Sequence, residues 1–134
     1  MEKKLVYLFI ALGGAAGALF RYFMSVWLND KITTVFPIGT LVVNLLGSFL
    51  VGLIYSISMN FIVPVAIFRS LIMVGFLGAF TTFSTFSLET LLLIHEGSFA
   101  MAFLNMLANI LGGLIAVFLG ISVTNLINVL RGLV

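Results

Sequence analysis

Charged residues divide this chain into long apolar runs. Uncharged stretches cover 5–20, 32–68, 70–88 and 97–130. The hydrocarbon core of a bilayer is roughly 30 Å thick and is crossed by about 20 helical residues. The pattern therefore predicts four spans, at about 4–28, 36–58, 64–94 and 99–128. Backbone in lipid must be satisfied within helices or a closed barrel. Long unbroken runs, rather than short alternating segments, select helices. Pro37 suits the first turn of the second span and Pro64 the opening of the third. Asn29-Asp30-Lys31, 59–64 and Gly97-Ser98 read as connections. The third span is then some 30 residues long, about 45 Å at 1.5 Å each. That is too long for one straight crossing, so it must tilt, extend or break.

Composition agrees. Of 134 residues, 63% are hydrophobic and 7% charged, against about 25% charged in a soluble domain. A chain of this size cannot bury so much apolar surface by itself, so its solvent is lipid. Tyr7, Tyr22 and Trp27 sit where interfacial aromatic belts are expected. The first span follows Lys3 and Lys4 like a signal peptide, but its length and Gly13, Gly14 and Gly17 suit a retained packing helix. The whole chain reads as one small membrane domain.

Charge and chemistry exclude more than they suggest. A net charge of +2 is too small to imply a nucleic-acid partner. Cysteine is absent and His95 is the only histidine, so neither a thiolate site nor a histidine-rich metal centre is expected. With four spans, Lys3, Lys4 and Arg131 lie on one side of the membrane and Lys31 on the other. That bias is too weak to fix orientation.

The polar residues inside the spans carry the chemistry. Thr40, Asn44 and Ser48 recur at four-residue spacing, on one face of the second helix. Asn105, Asn109 and Gly113 form a similar stripe on the fourth, beside a small-residue stripe of Ala108, Gly112, Ala116 and Gly120. Both stripes fit interhelical hydrogen-bonding and packing, and both fit one wall of a pathway. Arg21 either snorkels to the interface or serves the protein interior. Glu89 is either a proton-coupled site or a residue at a vestibule edge.

The stretch GFLGAFTTFSTFSLET, residues 75–90, is poor helix material, since each glycine costs about 1 kcal/mol relative to Ala. A break there frees carbonyls and amides, which membranes tolerate only where the backbone lines a cavity or is satisfied by protein. Freed carbonyls suit a Na⁺-like cation. The hydroxyls of Thr81, Thr82, Ser84, Thr85 and Ser87 can satisfy leftover groups or donate to an anion. Phe83 and Phe86 either face lipid or offer electropositive ring edges to an anion.

Three motifs, GALFRY (17–22), GTLVVNLLGSFLVG (39–52) and GFLGAFTTFSTFSLE (75–89), closely resemble the Fluc (CrcB) family of small fluoride channels, and the resemblance extends over the whole chain. It implies an all-α membrane protein that forms an antiparallel, dual-topology homodimer with an inverted copy of itself in a prokaryotic cell membrane. The third helix would be broken near its middle. Fluoride would leave the cell passively. The fluoride path would draw on Asn44, Phe83, Phe86, Ser84, Thr82, Ser87 and Asn109, with Arg21 at its mouth. A structural Na⁺ would be held by the backbone carbonyls of Gly78 and Thr81. On helix 4 the family commonly carries Tyr or Ser where this chain has Asn105, Asn109 and Gly113. Two other classes compete. A proton-coupled multidrug exporter would use Glu89, but such exporters need an acid deep in helix 1, which this chain lacks. A purely structural membrane subunit would use the polar stripes as glue. No enzymatic chemistry is expected.

Overall fold

Nothing in the first 31 residues stops a helix, and a computed structural model of the protein shows α1 running from Glu2–Lys31. Residues 2–60, 68–130 and 132 are described. The segment after α1 turns back through an Ile38 N–H···Phe36 carbonyl bond of 2.8 Å. Asn29 Oδ1 then accepts from the Gly39 amide at 3.2 Å, tying the end of α1 to the start of α2 (Ile38–Asn60). Pro37 contributes its carbonyl to the first turn, accepting from the Leu41 amide. The expected opening of the third helix at Pro64 falls outside the described residues.

Along the third span, Arg69–His95, the winding changes. Segment α3 (Arg69–Leu77) is wound as a π-helix, with a wider i→i+5 pattern than an α-helix. A single α-turn follows, α4 (Gly78–Phe80). Thr81 and Thr82 then take extended dihedral angles, φ −78°, ψ 157° and φ −147°, ψ 115°. Helix resumes as α5 (Phe83–His95), with Thr82 as its N-cap. At its far end Gly97 adopts φ +74°, a left-handed conformation that costs glycine little. The Ser98 amide reaches back to the Leu93 carbonyl at 2.8 Å, the closing bond of a Schellman motif. The chain then enters α6 (Phe99–Leu130).

Among the described residues, four helical spans are long and apolar enough to cross a membrane. Two pairings dominate: α2 against α6, and α1 against α3. Glycines permit both. A methyl at Gly120 would strike the Phe49 carbonyl and one at Gly52 the Val117 carbonyl; on the other pair, Gly17 faces the Phe76 carbonyl. Such small-residue seams let helix backbones approach closely in lipid. A small core of Val43, Leu77 and Phe80 joins the two pairs. Outward, large apolar side chains stay uncovered: Phe103, Leu114 and Phe118 are 62%, 66% and 67% exposed. Water would not tolerate this surface, and lipid does.

Candidate functional site

The extended backbone at Thr81 and Thr82 takes the Thr82 amide out of the helical ladder, and a buried backbone group must find a partner elsewhere. The Thr82 amide donates to Asn44 Oδ1 at 2.8 Å. The Thr82 carbonyl accepts from Asn44 Nδ2 at 3.1 Å. One carboxamide on α2 thus completes both hydrogen bonds of an extended residue in the third span. The Thr82 side chain works locally. Its Oγ1 accepts from the Thr85 amide at 3.2 Å, capping α5, and donates to Thr85 Oγ1 at 2.9 Å.

This clamp fixes which way Asn44 points, because backbone N–H and C=O cannot exchange roles. The orientation then propagates. The second hydrogen of Asn44 Nδ2 goes to Asn109 Oδ1 at 2.8 Å. Asn109 Nδ2 turns to Asn105, bonding its backbone oxygen at 3.0 Å and its Oδ1 at 2.9 Å. Asn105 Nδ2 donates to Thr90 Oγ1 at 2.9 Å, and Thr90 Oγ1 donates to the Phe86 carbonyl at 2.7 Å. The result is a one-way chain from α2 through α6 to α5. Asn105 is wholly buried, at 0% exposure, and this chain satisfies it.

Beside the clamp opens a cleft of about 360 Å³ between α2, α5 and α6. Its polar wall is Asn44, Ser48, Thr81, Thr82 and Asn109; Phe83, Phe86, Val51, Ile110 and Val117 complete it. No lining residue carries a formal charge. The two rings stand 5.5 Å apart at 57°, yet their settings differ. Phe86 is buried at 6% exposure, whereas Phe83 projects at 77%.

Of the residues singled out in the sequence, Asn44, Ser48, Thr81, Thr82, Phe83, Phe86 and Asn109 meet at the cleft. The others stand apart from its lining. Ser84 is exposed, its Oγ 3.5 Å from Thr82 Oγ1. Ser87 is exposed and donates back to the Phe83 carbonyl at 2.8 Å. Arg21 is half-buried on α1, and Gly78 is exposed on α4. Glu89 Oε1 accepts from Thr40 Oγ1 at 2.7 Å, while its Oε2 is buried without a partner among the described residues. Sequence reasoning did not single out Thr90. Its signal was its place one turn beyond Phe86, where a hydroxyl can bond a carbonyl four residues back. Among the described residues no cluster of three or more His, Cys, Asp or Glu could hold a metal ion.

Comparison with known proteins supplies a family. Residues 8–121 match the family model described as CrcB-like protein, Camphor Resistance (CrcB). The chain is 51% identical over 119 residues to the fluoride-specific ion channel FluC of Magnetococcus marinus, covering 88% of this chain and 96% of that one. It is 50% identical over 113 residues to the FluC of Shewanella woodyi and 52% identical over 114 residues to that of Shewanella oneidensis, in each case covering 84% of this chain and 90% of the relative. With its four apolar spans and these matches, the chain is a multi-pass integral protein of a prokaryotic membrane and belongs to the CrcB family.

Proposed function

We propose that this protein is a fluoride channel that lets the ion leave the cell passively. The observation that carries the reading is the uncharged cleft at Thr81–Thr82, in a chain about half identical to proteins named fluoride-specific channels. Conduction needs sites strong enough to admit an ion and weak enough to release it. A fixed cation in the cleft would trap fluoride. Hydroxyls, amides and the electropositive edges of Phe83 and Phe86 offer weaker contacts in sequence. Nothing in the family match or the relatives' names favours the proton-coupled exporter.

A structural Na⁺ is part of this proposal. Two carbonyls support it. The amide that continuous helix would send to the Gly78 carbonyl belongs to Thr82, and it goes to Asn44. The amide due at the Thr81 carbonyl belongs to Thr85, and it goes to the Thr82 hydroxyl. Both oxygens are thereby freed for a hard cation, the role that unwound backbone plays in membrane transporters. We read Thr81–Thr82 as a functional break in the third helix. The four carbonyls of two inverted chains would enclose the ion in an antiparallel homodimer. The exposure of Gly78 and of the Phe83 ring fits a partner at this point.

The decisive experiment is ion efflux from liposomes that contain only this protein. Fluoride should leave rapidly without ATP or a proton gradient, and chloride should stay. Equal passage of chloride, or a need for an energy source, overturns the reading. Cysteines placed at the termini should label equally from both sides of the membrane; one-sided labelling removes dual topology.

A further inference from the structure

The donors facing the cleft can be counted. Asn44 gives one amide hydrogen to the Thr82 carbonyl and the other to Asn109. Asn109 Nδ2 faces away, toward Asn105. The Thr81 hydroxyl donates to the Leu77 carbonyl at 3.0 Å. The Thr82 hydroxyl donates to Thr85. Every polar lining side chain is thus committed to protein, with one exception. Ser48 lines the cleft and makes no hydrogen bond with any described residue, not even to the carbonyl one turn behind it, where helical serines often bond. Opposite it stands Gly113. A methyl there would lie 3.5 Å from Ser48 Oγ, and glycine leaves that approach open.

A hydroxyl carries one donor hydrogen that rotates to suit its partner. An accessible O–H on an uncharged cleft wall, with no protein acceptor to give up, is well suited to a small anion. We propose that Ser48 is the hydrogen-bond donor that a small halide meets in this cleft, while Asn44 serves as the clamp that shapes it. This inference rests on the fluoride-channel reading and deepens it. It reassigns the direct contact from the amides to the hydroxyl one turn further along α2, in the cleft that Phe83 and Phe86 also line.

The test compares Ser48→Ala and Ser48→Thr with the unmodified protein in the same liposome assay. Removing the hydroxyl should lower fluoride efflux about tenfold or more, in line with loss of one hydrogen bond to a charged partner. Ser48→Thr keeps the donor and should restore most of the flux. Gel filtration and thermal melting should place both variants with the parent protein. Unaltered flux in Ser48→Ala overturns the proposal, as does an equal loss in both variants, which would make side-chain size the cause. If the parent protein passes no fluoride, the channel reading fails first, and that result is separate. A second measurement serves if Ser48→Ala does not fold. In Ser48→Cys, fluoride should slow labelling by a small thiol reagent at least several-fold relative to gluconate. Labelling indifferent to fluoride would overturn the proposal.

Discussion

The stripe on α2 does two different jobs along its length. Thr40, Asn44 and Ser48 occupy its first half, and Gly52 and Ser56 continue it at the same four-residue spacing. In the first half each residue meets the third span or the cleft: Thr40 bonds Glu89, Asn44 clamps Thr82, and Ser48 faces open space. In the second half α6 comes close enough that Gly52 lies against the Val117 backbone, and Ser56 is buried. A long cross-link there joins Thr124 Oγ1 to the Leu53 carbonyl at 3.5 Å. One helix face thus builds a polar clamp and a packing seam. The difference lies in the partner, since Asn109 and Gly113 stand opposite one half and Gly120 and Thr124 the other.

The strongest way to break this contrast is Asn44→Asp. A carboxylate can accept from the Thr82 amide, but it cannot donate to the Thr82 carbonyl or to Asn109. Two part-buried acceptors then each lose a donor, at about 1 kcal/mol each, and a negative charge enters the cleft. Fluoride flux should drop to background in the liposome assay, and residual conduction above a tenth of the parent rate would contradict the clamp. Gly52→Leu should act in the opposite sense. Its branches meet the Val117 backbone, so the protein should lose about 1–3 kcal/mol or more of stability. A lower melting temperature with near-normal flux per folded molecule is expected; unchanged melting would mean that the seam is looser than it looks.

Phe83→Ile separates conduction from packing. The ring is mostly uncovered within one chain, so a branched aliphatic side chain should be accepted by lipid or a partner with little loss of stability. Flux should nevertheless fall severely if the ring edge meets the ion, and normal flux would reduce Phe83 to lipid contact. The smallest expected effects come from the two threonines. Thr90→Val removes the last link of the amide chain and leaves Asn105 Nδ2 short of an acceptor, which should cost about 1–2 kcal/mol and slow flux a few-fold. Thr124→Val removes only the long bond in the seam and should change melting by less than about 0.5 kcal/mol. Equal effects of the two would erase the distinction between the halves.

Periodicity and composition alone made the four helical spans legible, because lipid leaves few alternatives for an apolar chain. Their ends were less so. α1 continues to Lys31 and α6 to Leu130, since neither glycine nor proline intervenes and frayed polar ends cost little outside the bilayer. The Gly/Thr tract stood out as poor helix material, and the two extended residues, Thr81 and Thr82, fall within it. The pairing partners could not be read from the chain. Asn44 and Thr82 are 38 positions apart, and Thr40 and Glu89 are 49. A stripe identifies a face of a helix but not the groups that will stand opposite. For the same reason the sequence placed Asn44 and not Ser48 in the fluoride path, while the partners that occupy the Asn44 amide lie on other helices.

The chain of amides has one more property that bears on a membrane. Hydroxyls, carboxyls, imidazoles and water pass protons along by handing one on while accepting another, and files of such groups conduct protons through proteins. A carboxamide cannot do this at ordinary pH, because its nitrogen has no free lone pair to receive the next proton. Asn44, Asn109 and Asn105 join three helical segments through continuous hydrogen bonds, yet the file carries no proton current. The amide file that frames the cleft offers protons no relay.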